Sequence, residues 1–418
     1  MFTYHTCTLP NGLRVILKRQ PSAVMYCGYA VNAGTRDELP GEEGMAHFAE
    51  HMSFKGTGRR RALSVINTLE RVGGDLNAYT TKEATVYHAA VLTEHTRRAV
   101  DLLTDIVFHS TCPQAEMDKE VEVICDEIES YNDSPADLIY DLLEEALFPR
   151  HPLGNGILGQ APALRSYTQE GLMAFRRRLY TPAASVFFAC GDVSFPLLVR
   201  MLCRAHGCAE PSCPPADAHV PAPLPPARLA PLPPYVPRHV ARHMDTHQTH
   251  VMVGTRAYGQ GHPRRLALSL LTNLLGGPGM NARLNLSLRE RHALVYTVES
   301  FLTSYGDTGV WGIYFGCDPH DVRRCQRLVR RELDRLMQAP LSPAQLRAAQ
   351  RQMKGQVGVA CDGRENFTLD MARQFLHLGR EKDVEALLRG IDAVTAQEVQ
   401  QVACELFAPE RLSSVVID

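Results

Sequence analysis

Apolar positions along this chain follow two periods. Residues 13–17 and 23–31 are short runs rich in Val, Leu and Tyr behind the turn Pro10-Asn11-Gly12, and read as two strands. Residues 75–92 form a longer β-rich stretch, with Ala78-Tyr79-Thr80 followed by Thr85-Val86-Tyr87-His88-Ala89-Ala90-Val91, and 184–190 is one more apolar strand. Helical spacing takes over at 44–54, 64–72, 94–108 and 114–131. The second of these helices ends on Gly73-Gly74, a glycine stop.

The pattern breaks at 211–237, where Pro214-Pro215, Pro221, Pro223, Pro225-Pro226, Pro231 and Pro233-Pro234 crowd together. Such density excludes helix and sheet interior, so this stretch reads as an extended linker between a domain at 1–210 and another at 238–418. The second half repeats the first faintly. Strands at 240–244 and 250–254 precede a helix at 264–275, and Gly276-Gly277 then stands where Gly73-Gly74 stood. Both glycine turns lead into Asn-Ala, at Asn77-Ala78 and Asn281-Ala282. The pattern predicts an α+β fold: two homologous αβ domains with antiparallel-rich sheets flanked by helices.

Length and composition narrow the function. A chain of 418 residues exceeds one simple core. A formal net charge of −2 argues against a nucleic-acid binder. No apolar run approaches the ~20 residues that span a bilayer, so no membrane association is expected. Residues 1–13 show neither a basic start followed by an apolar stretch nor an Arg-rich amphipathic leader, so a cytoplasmic location is expected. The 12 cysteines are scattered among apolar neighbours, as reduced buried thiols would be. Cys203, Cys208 and Cys213, with His206 among them, lack the tight pairs of a structural zinc site.

The candidate chemistry lies in His47-Phe48-Ala49-Glu50-His51. Histidines four apart on a helix share one face and reach one ion; Glu50 beside them can take a proton from water. A catalytic zinc wants a third protein ligand, brought in by folding. The acidic, otherwise apolar helix at 114–131 is the obvious source. Glu120 and Glu127 lie two turns apart on one of its faces, a pairing that is odd without a cation.

At this point a resemblance becomes specific. Gly44-Met45-Ala46-His47-Phe48-Ala49-Glu50-His51-Met52-Ser53-Phe54-Lys55-Gly56-Thr57 resembles the signature of the pitrilysin and mitochondrial-processing-peptidase family of inverted-motif zinc peptidases. The likeness continues through Gly73-Gly74-Asp75-Leu76-Asn77-Ala78-Tyr79-Thr80, His151-Pro152-Leu153-Gly154 and Tyr180-Thr181-Pro182. The resemblance implies one zinc ion per chain, held by His47, His51 and a Glu about 76 residues beyond the second histidine, which falls on Glu127. It makes Glu50 the general base and places Glu120, one heptad before the ligand, in support of the site. In the second half, Asn281-Ala282-Arg283-Leu284, Leu288-Arg289-Glu290-Arg291 and Leu294-Val295-Tyr296 are similar to the family segment whose Arg and Tyr face the zinc, here Arg289 and Tyr296. One departure is His292-Ala293, where members commonly carry Gly before the Leu.

The resemblance further implies a half-shell that closes with a second copy into a chamber for peptides or unfolded polypeptide. Substrate would add as a strand along 76–80, with Asn77 and Ala78 in contact. Because one chain carries both residue sets, a homodimer is expected over pairing with a paralogue, with Arg289 and Tyr296 completing the partner's site. A dedicated processing peptidase and a non-catalytic structural subunit are the alternatives.

Three other features point elsewhere and carry less. His239, His243, His247 and His250 span too great a length in a strand to meet one ion. Arg59-Arg60-Arg61 reads as a solvated loop or helix start. Gly276-Gly277-Pro278-Gly279 lacks the Lys-Ser/Thr of a phosphate loop.

Overall fold

The computed structural model describes residues 3–209, 228 and 230–418. Most of the proline-rich stretch expected as a linker, 211–237, lies outside the described residues; 231–238 carry neither helix nor strand.

The first unit is built on a six-stranded sheet of β1 (Tyr4–Thr8), β2 (Arg14–Arg19), β3 (Val24–Val31), β4 (Asp75–Thr80), β5 (Thr85–Leu92) and β6 (Ser185–Gly191). Their order is β1-β2-β6-β3-β5-β4, antiparallel except where β2 runs parallel to β6. The second unit holds β7 (His239–Arg242), β8 (Thr249–Ala257), β9 (Val295–Ser304), β10 (Gly309–Cys317) and β11 (Ser413–Ile417) in the order β7-β11-β8-β10-β9, with only β7 and β11 parallel. Without β1, the first sheet has the same order and the same strand directions as the second. The α+β expectation, its antiparallel bias and the duplication all hold.

The units are interleaved rather than divided at the prolines into 1–210 and 238–418. The first takes the chain up to Glu129, then Asn155–Pro231 and Ala360–Lys382; the second takes Ser130–Gly154, Leu232–Val359 and Asp383–Asp418. Apolar matching is the reason. Helix Pro135–Leu147 buries Leu138, Ile139, Leu143 and Leu147 with Met252, Val415 and Ile417 of the second sheet. Gly254 and Gly312 face each other in the register of β8 and β10, and a Cβ on either would meet a Leu143 methyl at 2.9 and 3.4 Å. Gly254 makes room for that leucine, while at Gly312 the Phe301 ring, 2.6 Å from such a Cβ, is the nearer neighbour. In the same way helix Arg364–Leu378 packs on β3 and β6, burying Phe367, Met371 and Phe375 in the first unit. A helix from each half of the sequence thus completes the core of the other half's sheet.

Several local expectations resolve here. Asn77-Ala78 lies inside β4, whereas Asn281-Ala282 sits in a turn before the helical segment Asn285–Glu290. That dipeptide match is therefore not positional; β9, the end strand of its sheet, is the counterpart of β4. Every described cysteine is free. His206 Nε2 lies 2.9 Å from the Tyr29 hydroxyl, which also meets Thr104 Oγ1 at 2.7 Å, so this imidazole belongs to a core polar network. Burial, and then the charge of His109, push His206 down to about 4.

The departure at His292-Ala293 falls on a tight left-handed turn. Ala293 adopts φ 49°, the left-handed region. Its amide donates to the Arg289 carbonyl at 2.8 Å, and the Leu294 amide donates to that of Leu288 at 2.9 Å. A Cβ is disfavoured in this conformation. Ala293→Gly should therefore stabilise the chain by about 1 kcal/mol, seen as a higher urea midpoint at unchanged m-value; an unchanged or lower midpoint would show that the turn carries no strain.

Candidate metal centre

The motif helix, Met45–Ser53, is fixed at both ends by buried polar side chains. Ahead of it, the Glu38 carboxylate accepts hydrogen bonds from the backbone amides of Gly44 at 3.1 Å and Ala46 at 2.8 Å. Glu38 is 2% exposed, and no cation pairs with it among the described residues. Burial pushes its carboxyl well above the usual range, against the pull of those two amides. Gly44 has φ 96°, and a Cβ there would come within 2.7 Å of the Gly159 Cα, so only glycine lets the chain enter the helix here. At the other end, the buried Arg176 donates Nη1 to the Ala49 carbonyl at 3.1 Å and to Ser53 Oγ at 2.9 Å. Its Nη2 donates to the carbonyls of Ile106 and Val107 on helix Thr96–Phe108. A carboxyl accepting from amides at the N-terminus and a cation near the C-terminus both suit the polarity of the helix ends.

Phe48, Ala49 and Met52 anchor the helix in the core. His47 and His51 lie side by side with ring centroids 4.5 Å apart. Helix Gln114–Asn132 brings Glu127 across them, with Oε1 3.9 Å from His47 Nε2 and Oε2 3.7 Å from His51 Nε2. These three side chains offer donor atoms all within 4.8 Å of one another. Two ligands about 2.0–2.1 Å from a tetrahedral ion sit roughly 3.3 Å apart, so the two histidine–carboxylate distances would each shorten by about half an ångström around zinc.

Glu120, two turns earlier on the same helix, meets the other nitrogen of the same imidazole: its Oε1 is 2.9 Å from His51 Nδ1. Its Oε2 pairs with Lys55 Nζ at 2.5 Å. A carboxylate can only accept, so the shared proton sits on Nδ1 and Nε2 keeps its lone pair for the ion. Burial opposes ionisation of Glu120, but the hydrogen bonds from His51 and Lys55 outweigh it and hold its carboxyl below the usual range.

Glu50 stands apart from the three ligands. Its Oε2 accepts a hydrogen bond from Thr80 Oγ1 of β4 at 2.5 Å, and burial pushes its carboxyl up. Burial, then the nearby His51, push His47 down to about 3, so it is a neutral donor. Burial would also lower His51, yet its hydrogen bond to Glu120 and the charges of Glu50, Glu120 and Glu127 raise it. His47 Nδ1 is buried without a hydrogen-bond partner. Three carboxylates around two imidazoles leave a surplus of negative charge that a divalent cation offsets, and the donor set fits zinc.

Of the other expected residues, Asn77 is exposed on β4 and its Oδ1 accepts from the Ala78 amide at 2.9 Å. β4 ends its sheet, pairing with β5 alone. Arg289 and Tyr296 belong to the second unit, where the Arg289 guanidinium carbon lies 5.7 Å from the Tyr296 ring centroid. Tyr296 is 80% exposed. Of the histidines set aside above, His239 meets Ser414, His243 meets Asp418 and His250 meets the Tyr314 hydroxyl. None of them joins a metal-binding group among the described residues. Glu38, Arg176, Thr80 and Lys55 escaped the sequence reading. Only Lys55 and Thr80 stood inside recognisable motifs, and nothing in those motifs marked their partners.

Two imidazoles and a carboxylate converging on one point, with a further buried carboxylate on the same helical turn, define a metallopeptidase centre. Residues 14–161 match the family described as Insulinase (Peptidase family M16), and residues 166–353 match the Peptidase M16 inactive domain. The chain belongs to peptidase family M16. The zinc protease YmxG of Bacillus subtilis is 31% identical over 411 residues, covering 98% of this chain and 97% of that one. The mitochondrial-processing peptidase subunit beta of Bos taurus is 32% identical over 406 residues, covering 95% and 80%. A protease from Helicobacter pylori has the same fold, with a TM-score of 0.89 at 20% identity over the whole of both chains. The cofactor is one zinc ion per chain, and His47, His51 and Glu127 are the group that fits it. Among the described residues, no helix is long and apolar enough to cross a membrane.

If Glu120 orients His51, Glu120→Gln should weaken zinc binding about 10–100-fold while leaving the fold unchanged. Competition against a chromogenic chelator measures this, and an affinity equal to the parent's would remove Glu120 from the site.

Proposed function

We propose that this chain is a zinc-dependent endopeptidase or oligopeptidase that cleaves peptides and unfolded segments inside a chamber formed by two copies. The observation that carries this reading is the placement of Glu50. It lies on the same helical turn as both imidazoles, outside the ligand trio, with one oxygen held by Thr80 of the end strand β4.

Zinc in the trio would lower the pKa of water from about 15.7 towards about 7 and polarise a carbonyl oxygen. Thr80 occupies Glu50 Oε2, leaving Oε1 to take a proton from the attacking water and later deliver it to the leaving amine nitrogen. Glu120 keeps the His51 ring in register throughout. The free side of β4 suits an incoming peptide that pairs through its main chain, a mode that carries little sequence information. Such pairing at Ala78 would displace the Asn77 side chain from the Ala78 amide. The exposed Tyr296 hydroxyl and Arg289 guanidinium would donate to the developing oxyanion or the substrate backbone. In this reading they do so across the chamber, each copy completing the other's site.

A second reading, a dedicated processing peptidase that removes leaders from particular precursors, is favoured by the similarity to the mitochondrial-processing peptidase beta subunit. Cleavage of many unrelated peptides would count against it. A purely structural role is disfavoured by the intact ligand set and base.

With a quenched fluorescent peptide, Glu50→Gln should lower kcat by about 10²–10⁴-fold while metal analysis still finds one zinc; a variant as active as the parent ends the peptidase reading. Chains carrying Arg289→Ala and Glu50→Gln, each inactive alone, should regain activity when mixed. If none returns, the two residue sets do not serve each other's sites.

A further inference from the structure

The Arg59-Arg60-Arg61 run has a structural role that changes the charge of a neighbouring cleft. Arg59 Nε lies 3.2 Å from Asp105 and its Nη2 3.3 Å from Asp101, while Arg60 grips the same two carboxylates, with Asp105 at 2.5 Å. Both acids on that face of helix Thr96–Phe108 are thereby neutralised. Beside them opens a cleft of about 870 Å³ between this helix and helix Phe195–His206, lined by Arg59, Arg97, Arg98, Arg200 and Arg204. Glu94, the remaining acid on its wall, faces His95 at 3.5 Å. No carboxylate among the described residues pairs with Arg97, Arg98, Arg200 or Arg204.

Arg98 Nη1 donates to the Thr68 carbonyl at 3.3 Å, but the positions themselves are electrostatically unfavourable. Arg97 and Arg98 occupy the first turn of their helix, where the dipole is already positive. Arg200 and Arg204 are like charges one turn apart. Arg97, Arg200 and Arg204, with Arg98 at the edge, line one concavity and are matched by an anion with several acceptor oxygens, because the planar fork binds phosphate oxygens in pairs. The concavity is of small-molecule size.

We propose that this cleft is a binding site for a compact polyanion of the phosphate class, separate from the peptidase centre and independent of that reading. The test uses the full zinc-loaded chain and inorganic tripolyphosphate in isothermal titration. Saturable binding of one anion per chain is expected, weakened about tenfold or more in Arg200→Ala/Arg204→Ala. Both residues are exposed and outside the core, so the variant should fold as the parent does. A control variant, Arg323→Ala/Arg327→Ala, removes two arginines from the basic surface of helix Val322–Gln338 in the second unit and should bind as the parent. Absence of saturable binding, or equal loss in both variants, would reduce the cleft to diffuse surface charge and overturn the proposal. So would tighter binding to phosphatidylserine vesicles than to tripolyphosphate with the same dependence on Arg200 and Arg204, since the occupant would then be a membrane.

Discussion

The centre depends on a nine-residue helix being held still, and two buried polar side chains do this. The Glu38 carboxyl accepts from the Gly44 and Ala46 amides at the start of Met45–Ser53, and the Arg176 guanidinium donates to the mid-helix Ala49 carbonyl and to Ser53 Oγ at its last residue. A helix this short is marginal in isolation, and its catalytic face carries two imidazoles and a carboxylate in place of apolar packing. Backbone groups left over at its ends would be costly to bury unpaired. By meeting the amides at its start with Glu38 and bracing Ala49 and Ser53 with Arg176, the fold secures His47, Glu50 and His51 without using the side-chain positions the chemistry needs. Arg176 also holds carbonyls of helix Thr96–Phe108, so one guanidinium joins the motif helix to its neighbour.

The second constraint is the two-turn spacing of Glu120 and Glu127, which brackets one imidazole. Glu120 reaches Nδ1 of His51 and Glu127 approaches Nε2, so a single rigid helix both orients the ligand ring and adds a ligand. Burial separates their roles. Glu120 is enclosed and tied to Lys55, whereas the half-exposed Glu127 is free to adjust towards an ion. Glu50 stands outside the ligand trio, and its bond from Thr80 couples it to β4. The site therefore joins three elements far apart in sequence: a motif helix, an acidic helix and an end strand.

Duplication explains the architecture around it. Two sheets share one strand order, yet only the first carries the histidines, and the second unit matches a domain described as inactive. Exchange of helices Pro135–Leu147 and Arg364–Leu378 means that neither half of the sequence holds a complete core. Leu143 seated over Gly254 shows how specific that exchange is. The sheet of the unit that carries the metal centre is thus covered by a helix from late in the chain, and the second sheet by a helix from the first half.

The sequence by itself determined what depends on local period. The i,i+4 histidines, the heptad of glutamates, the alternation of strands and the glycine stops follow from helix and strand geometry within a few residues, and the family signature then selected Glu127 from among neighbouring acids. Only the tertiary structure decided which distant groups satisfy a buried polar atom. Glu38 on Gly44 and Ala46, Arg176 on Ala49, Thr80 on Glu50 and Arg60 on Asp105 have no local signature, because such pairs are chosen by the cost of leaving a desolvated group alone wherever folding brings a partner near. The same holds for the helix exchange. An apolar stripe states that a helix must be covered, but only the complementary relief of a sheet, such as Gly254 under Leu143, states by what.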